Sequence, residues 1–227
     1  MKTIGILGGL GPESTCEFYR LITRCYYDMY GNYKYPEILI YSISFEKIIE
    51  SGYKSAGDIK HAIECLHKAG ADFVVAACNS IHIIFDEVKN DIPIPWISIM
   101  ETTAENILEK KIKKVGLLGT RFTMSEGFYR NALANYGIET IIPPEDSLEK
   151  INAIIYNELV RNILEEKSKL YIINCINNLI RQGAQGIILG CTELPFLIDQ
   201  SDTKVPVFNT TALHAQKTLE LALSISL

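Results

Sequence analysis

Gly70-Ala71-Asp72-Phe73-Val74-Val75-Ala76-Ala77-Cys78-Asn79-Ser80 and Gly183-Ala184-Gln185-Gly186-Ile187-Ile188-Leu189-Gly190-Cys191-Thr192-Glu193 are two versions of one pattern. Each opens on Gly-Ala, crosses an apolar run of strand length, and reaches a cysteine 8 residues after its first glycine. Small or polar residues follow at once, so each cysteine stands where a buried strand gives out. At such a rim a thiol meets solvent, a ligand and the amides of the next segment.

The flanking sequence repeats as well. Lys113-Lys114-Val115-Gly116-Leu117-Leu118-Gly119-Thr120 echoes Lys2-Thr3-Ile4-Gly5-Ile6-Leu7-Gly8-Gly9 at an offset of 111. Cys191 follows Cys78 at 113, and Val205-Pro206-Val207 follows Ile92-Pro93-Ile94, also at 113. Three landmarks in the same order indicate an internal duplication. Strand patterns alternate with helical ones throughout, which indicates βαβ units and parallel sheets. The fold class expected is α/β, with two similar αβα domains related by a pseudo-twofold axis. Residues 1–100 with about 210–227 form the first and carry Cys78; residues 101–209 form the second and carry Cys191. The active site is expected in the cleft between them, with the two cysteines looking at a ligand from opposite sides.

Local signals fill in the elements. Glu13 to Tyr30 reads as a helix capped near Ser14 or Thr15, with Phe18, Leu21, Ile22 and Cys25 at helical spacing. A helix from Asp58 to Ala69 ends at Gly70, a frequent C-terminal residue. Helices are also expected directly after Cys78 and Cys191, and from Thr210 to Ser226. Cys16, Cys25, Cys65 and Cys175 fall inside helical patterns and read as small packing residues.

Composition narrows the function. The 227 residues carry a net charge of -5, with 22% charged and 48% hydrophobic residues, an ordinary globular balance. No basic cluster offers a track for nucleic acid, and no apolar run reaches the ~20 residues of a membrane span. The amino end runs straight into a strand pattern without a signal peptide, which points to the cytoplasm. Six cysteines in such a setting are poor disulfide candidates. Gly8-Gly9-Leu10-Gly11 lacks dinucleotide-loop spacing, and a Cys78/His82 metal pair has no evident third ligand.

Two equivalent cysteines suit racemisation next to a carboxylate. One thiolate removes the α-proton, and the opposite thiol returns one to the other face. A helix N-terminus behind each sulfur would lower its pKa. Backbone amides would stabilise the charge that develops on the carboxylate. No lysine in a glycine-rich setting suggests pyridoxal phosphate.

At this point the chain resembles a known family. Ile4-Gly5-Ile6-Leu7-Gly8-Gly9-Leu10-Gly11-Pro12, Ala77-Cys78-Asn79-Ser80-Ile81-His82 and Gly190-Cys191-Thr192-Glu193 resemble the cofactor-independent aspartate/glutamate racemases, specifically the aspartate branch. Glutamate racemases carry Asp-Ser where this chain has Gly8-Gly9, and histidine where it has Glu193. The resemblance implies catalytic Cys78 and Cys191, no cofactor, no metal, a small amino-acid substrate and a homodimer. It also implies a substrate site drawn from Gly9, Leu10, Asn79, Ser80, Ile81, Thr120, Thr123, Thr192 and Glu193. Leu10 and Ser80 stand where methionine and threonine are common. Ser42-Ile43-Ser44-Phe45-Glu46 lacks the arginine that holds the side-chain carboxylate in some aspartate racemases. Some aspartate racemases also use a lysine on the helix before the second cysteine, and Arg161, the nearest basic residue in a roughly matching position, is the substitute candidate. The expected activity is therefore interconversion of L- and D-aspartate, with glutamate as a second candidate substrate. The alternatives are a racemase of broader amino-acid specificity, or a decarboxylase or cis–trans isomerase on the same scaffold.

Overall fold

The computed structural model describes residues 1–224. The chain begins with β1 (Ile4–Gly8), α1 (Pro12–Tyr30), β2 (Ile38–Ser42), α2 (Phe45–Glu50), α3 (Ala56–Lys68) and β3 (Phe73–Ala76). A 3-10 turn (Ser80–Ile84) leads into the single-turn α4 (Phe85–Val88), then β4 (Trp96–Ile97) and α5 (Ile99–Glu109). There follow β5 (Lys114–Leu118), α6 (Arg121–Ser125), α7 (Phe128–Ala134), β6 (Glu139–Ile141) and α8 (Glu145–Asn157). A 3-10 turn (Leu159–Arg161), α9 (Glu166–Arg181), β7 (Ile187–Leu189), two 3-10 turns (Leu194–Phe196 and Gln200–Asp202), β8 (Val207–Asn209) and α10 (Thr210–Leu223) complete it. The expected end of the C-terminal helix, Ser226, lies outside the described residues. Among the described residues, no helix is long and apolar enough to cross a membrane.

The chain divides into two compact units, one formed by Met1–Thr102 with the stretch from Thr211 onward, the other by Thr103–Thr210. Each holds a four-stranded, all-parallel sheet, ordered β2-β1-β3-β4 in the first and β6-β5-β7-β8 in the second. The fold is thus α/β, with the same strand order twice. Within each sheet the chain steps outward from the first strand and then back past it. Right-handed crossovers then put the helices on both faces.

Register shows the duplication more finely than the sequence did. Gly5 pairs with Val74 in the first sheet, and Gly116 with Ile187 in the second, so offsets of 111 and 113 meet across one rung. The last landmark moves. Val74 N–H donates to Pro95 C=O (2.8 Å) and Ile187 N–H to Pro206 C=O (2.9 Å). Pro95, not Pro93, is therefore the counterpart of Pro206, and the offset there is 111. Both Ile-Pro-Ile and Ile-Pro-Trp fit a short edge strand, so composition could not choose between them.

In the first unit the core gathers Ile4, Ile6, Phe73 and Val75 of the sheet with Phe18 and Ile22 of α1 and Ala215 and Ala222 of α10. All of β1 is buried, as expected of a central strand covered on both faces. Burying a side chain such as Phe18 or Ile22 contributes roughly 1.5–3 kcal/mol. The helix α1 stops where Gly31 turns left-handed (φ 63°) and returns its N–H to Tyr27 C=O at 2.8 Å.

Three local expectations are corrected. Gly11 occupies the cap position of α1, and Ser14 and Thr15 lie inside its first turn. Thr15 instead braces the loop after β1: its hydroxyl accepts from Gly9 N–H (3.0 Å) and donates to Gly11 C=O (3.1 Å). The segments after Cys78 and Cys191 are 3-10 turns of 5 and 3 residues, not α-helices. Pro195 at the start of the second turn, and Pro93 and Pro95 beyond the first, favour short turns over long helices. Finally, Cys175 is buried, but Cys16 is exposed and Cys25 and Cys65 are half-buried, so the packing role does not extend to Cys16.

Candidate active site

Both cysteines leave their sheets through the same last rung. Ala77 N–H donates to Leu7 C=O (3.4 Å) in the first unit, and Gly190 N–H to Leu118 C=O (2.7 Å) in the second. The next residue in each case is the cysteine. In each unit the sulfur therefore sits at the carboxyl end of the strand beside the one where the strand order reverses. That is where open α/β sheets bind ligands.

In the first unit the neighbouring loop is Gly8 to Gly11. Gly9 is left-handed (φ 81°), and a Cβ there would stand 2.2 Å from Ile43 C=O. Leu10 and Ile81 are buried beside this rim, as are Asn79 and Ser80. Asn79 is the cap residue of the 3-10 turn that Ser80 opens.

The turn is anchored from below by a residue that the sequence alone leaves as a cap or packing group. His82 Nδ1 lies 2.9 Å from Cys78 C=O, and Ile99 N–H points at Nε2 from 3.2 Å. A carbonyl only accepts and an amide only donates, so the ring is neutral with its proton on Nδ1. Its acceptor nitrogen is thereby used, which removes it as a metal ligand. Among the described residues no group of three or more His, Cys, Asp or Glu could hold a metal ion. The four-residue spacing from Cys78 was the available signal, because one helical turn brings such a ring under the carbonyl.

Burial pushes the His82 pKa down from 6.5 to about 4. His214, on α10, is also fully buried, with Thr102 Oγ1 3.5 Å from Nδ1. Its pKa is lowered as well, by burial first and then by the field of His82. The unfolded chain binds these protons near pH 6.5 and the folded chain does not. Stability is therefore full above that pH and falls as the solution is acidified toward pH 4. His82 alone is expected to cost about 1.4 kcal/mol per pH unit within that window. Urea midpoints should drop steadily from pH 6.5 downward, with a shallower slope in His82→Asn.

In the second unit the cysteine has a carboxylate partner. Cys191 Sγ donates to Glu193 Oε2 at 2.9 Å, and Thr192 Oγ1 donates to the same oxygen at 2.7 Å. Thr192 thus holds the carboxylate that holds the thiol proton. Cys191 itself is 8% exposed. Thr120 caps α6, accepting from Thr123 N–H at 3.3 Å, and the two hydroxyls meet at 3.1 Å. Thr123 is buried, its side chain filling the space beside Gly119 and Gly190.

Arg161 ends the 3-10 turn between α8 and α9, and it is exposed. A solvated guanidinium contributes little to holding a carboxylate. Arg161→Ala is expected to leave KM for acidic amino acids within about twofold, read from initial rates.

The chain belongs to the Asp/Glu/Hydantoin racemase family, whose model matches residues 7–218. It is 28% identical to the broad specificity amino-acid racemase RacX of Bacillus subtilis, over 97% of this chain and 98% of that protein. Among solved structures, an aspartate racemase homologue from Pyrococcus horikoshii superposes with a TM-score of 0.91 at 38% identity, covering 99% of this chain and 100% of that one. The aspartate racemase of Picrophilus torridus gives a TM-score of 0.75 at 26% identity, covering 98% and 94%. Membership makes the protein an isomerase that acts on small amino-acid substrates.

Proposed function

We propose that the protein interconverts L- and D-aspartate without a cofactor, using Cys78 and Cys191 as the two acid–base groups. The observation carrying this is the duplicated exit rung: two sheets of identical order, each delivering a cysteine at its switch point. One thiolate takes the α-proton, breaking Cα–H and forming S–H, while the electron pair spreads onto the carboxylate. The other thiol then gives its proton to the opposite face of the carbon, and the roles are exchanged for the return reaction. Asn79, Ser80, Thr120 and Thr192 are the polar groups assigned to the α-carboxylate and α-amino group, with Leu10 and Ile81 as apolar walls. Arg161 is left outside the site.

Because the turns after the cysteines are too short to act as helix dipoles, local partners must manage the thiol protons. Glu193 is the partner for Cys191. Glu193→Gln keeps the shape and an oxygen acceptor but replaces the carboxyl group that accepts the Cys191 thiol hydrogen bond. It is expected to lower kcat by about 10²-fold with little change in KM.

A second reading, a racemase of broader amino-acid specificity, is favoured by one feature. The segment that follows β2 runs Ile43-Ser44-Phe45-Glu46 into α2 and carries no arginine for a side-chain carboxylate, Lys47 of α2 being its first cation. The likeness to RacX agrees with it. Proton exchange at the α-carbon in heavy water, followed by mass spectrometry over a panel of L- and D-amino acids, separates the readings. Deuterium entering both enantiomers of aspartate well ahead of neutral amino acids supports the first. Comparable entry into neutral amino acids supports the second. Failure of every amino acid to exchange overturns both.

A further inference from the structure

We infer that His82 is a positioning residue for Cys78 alone, tying the Cys78–Asn79 peptide to the start of α5 and so aiming one of the two acid–base groups. The inference rests on the two-cysteine reading above. Its geometric basis is the pair of bonds on one buried ring, Nδ1 to Cys78 C=O at 2.9 Å and Ile99 N–H to Nε2 at 3.2 Å.

A trans peptide is planar, with C=O and N–H pointing opposite ways. Fixing the Cys78 carbonyl toward the interior therefore turns the Asn79 N–H to the other side of the peptide. It also fixes the last backbone torsion of Cys78, on which the direction of its Cα–Cβ bond depends. The ring itself has no room to wander. It lies 5.2 Å from Trp96, 6.1 Å from Phe85 and 6.3 Å from His214, centroid to centroid. The far end of the tie is the first residue of α5, so the sulfur is referenced to a helix rather than to a loop.

The second unit solves the same problem without a histidine. The residue at the offset of 113 from His82 is Pro195, which has neither donor nor acceptor in its side chain. There Thr210, at the start of the helix after β8, donates its hydroxyl to Leu189 C=O at 2.9 Å, and Glu193 holds the thiol directly. The two cysteines are thus supported by different chemistry, although the backbones that deliver them are alike. Removing His82 should harm the proton transfer at Cys78 and spare the one at Cys191.

That asymmetry is the test. In Cys191→Ser only Cys78 remains as base, and in Cys78→Ser only Cys191. Each single-cysteine protein should exchange the α-hydrogen of one enantiomer of its best amino acid in heavy water. Into both backgrounds His82→Phe and His82→Asn are introduced. Phenylalanine keeps the ring and removes both bonds; asparagine restores a donor near the Nδ1 position. Sub-ångström to 1 Å misplacement costs up to about 10²-fold. We expect Cys78-dependent exchange to fall at least about tenfold with phenylalanine and to recover partly with asparagine. Cys191-dependent exchange should change less than about threefold in both. Equal losses in the two backgrounds, or no loss in either, overturn the positioning role. If His82→Phe does not fold, as judged by circular dichroism, the comparison is made on His82→Asn alone. It should then lower Cys78-dependent exchange by more than it lowers the other. The parent single-cysteine proteins distinguish the underlying reading: if both exchange both enantiomers alike, the two-cysteine mechanism fails before His82 is touched.

Discussion

Cys78→Ser and Cys191→Ser should each lose racemisation in both directions by at least about three orders of magnitude. The reason is stoichiometric. Every inversion requires one group to take a proton and a second group to give one, so half a pair gives no inversion. Serine keeps the size and the hydrogen-bonding capacity of the site but is a far weaker acid than a thiol, so almost none of it is ionised near neutral pH. Partial reactions separate this from simple damage. A protein that keeps one cysteine retains a base for one enantiomer and should still exchange that enantiomer's α-hydrogen slowly, without inversion. The complementary variant should prefer the other enantiomer. Fold should be preserved in both, because Cys78 is half-buried and serine at the buried Cys191 keeps the size and a donor for Glu193. Near wild-type racemisation in either variant would refute the mechanism.

The exit rungs explain why so much of this could be read in the chain. Strand cores such as Phe73-Val74-Val75-Ala76 and Ile187-Ile188-Leu189 carry their burial in composition, and the Gly-Ala before each marks where the preceding helix ends. Two such runs at matching offsets specify two sheets of one order. What the sequence did not reveal depends on angles and partners rather than residue type. A long helix after Cys78 is a fair expectation for Ser80-Ile81-His82-Ile83-Ile84-Phe85, yet the chain tightens into a 3-10 turn before a single α-turn. His82 could have been any buried ring until Ile99 N–H and Cys78 C=O were seen on its two nitrogens. Glu193 belongs to the motif from which the resemblance draws the substrate site. That its carboxylate turns back onto Cys191 and Thr192 depends on side-chain torsions that spacing does not give.

The duplication itself misleads at one residue, and that residue carries the other large effect. Alignment sets Gly9 opposite Thr120, as though the position tolerated a side chain. The backbones differ: Thr120 is extended (φ -63°, ψ 158°) and caps α6, whereas Gly9 is left-handed at φ 81°. An alanine at Gly9 would place its Cβ 2.2 Å from Ile43 C=O and 2.8 Å from Ile43 N, both backbone atoms with no torsion to yield. Two further bonds resist movement of the loop. Ile43 N–H donates to Gly8 C=O at 2.9 Å, and Gly9 N–H donates to Thr15 Oγ1 at 3.0 Å. Left-handed φ alone costs roughly 1 kcal/mol for alanine. The clash and the broken bonds raise the expected loss to about 3–5 kcal/mol, or a Tm lower by roughly 6–20 °C in a chain of this size. Gly31→Ala provides the control. Its φ is 63°, but a Cβ there meets nothing within 4 Å, so only the conformational cost should appear. Thermal unfolding of the two variants side by side therefore measures the close approach of the β1 loop to Ile43, apart from the backbone angle. If Gly9→Ala melts within about 2 °C of Gly31→Ala, the loop after β1 is not the tightly held rim that the site requires.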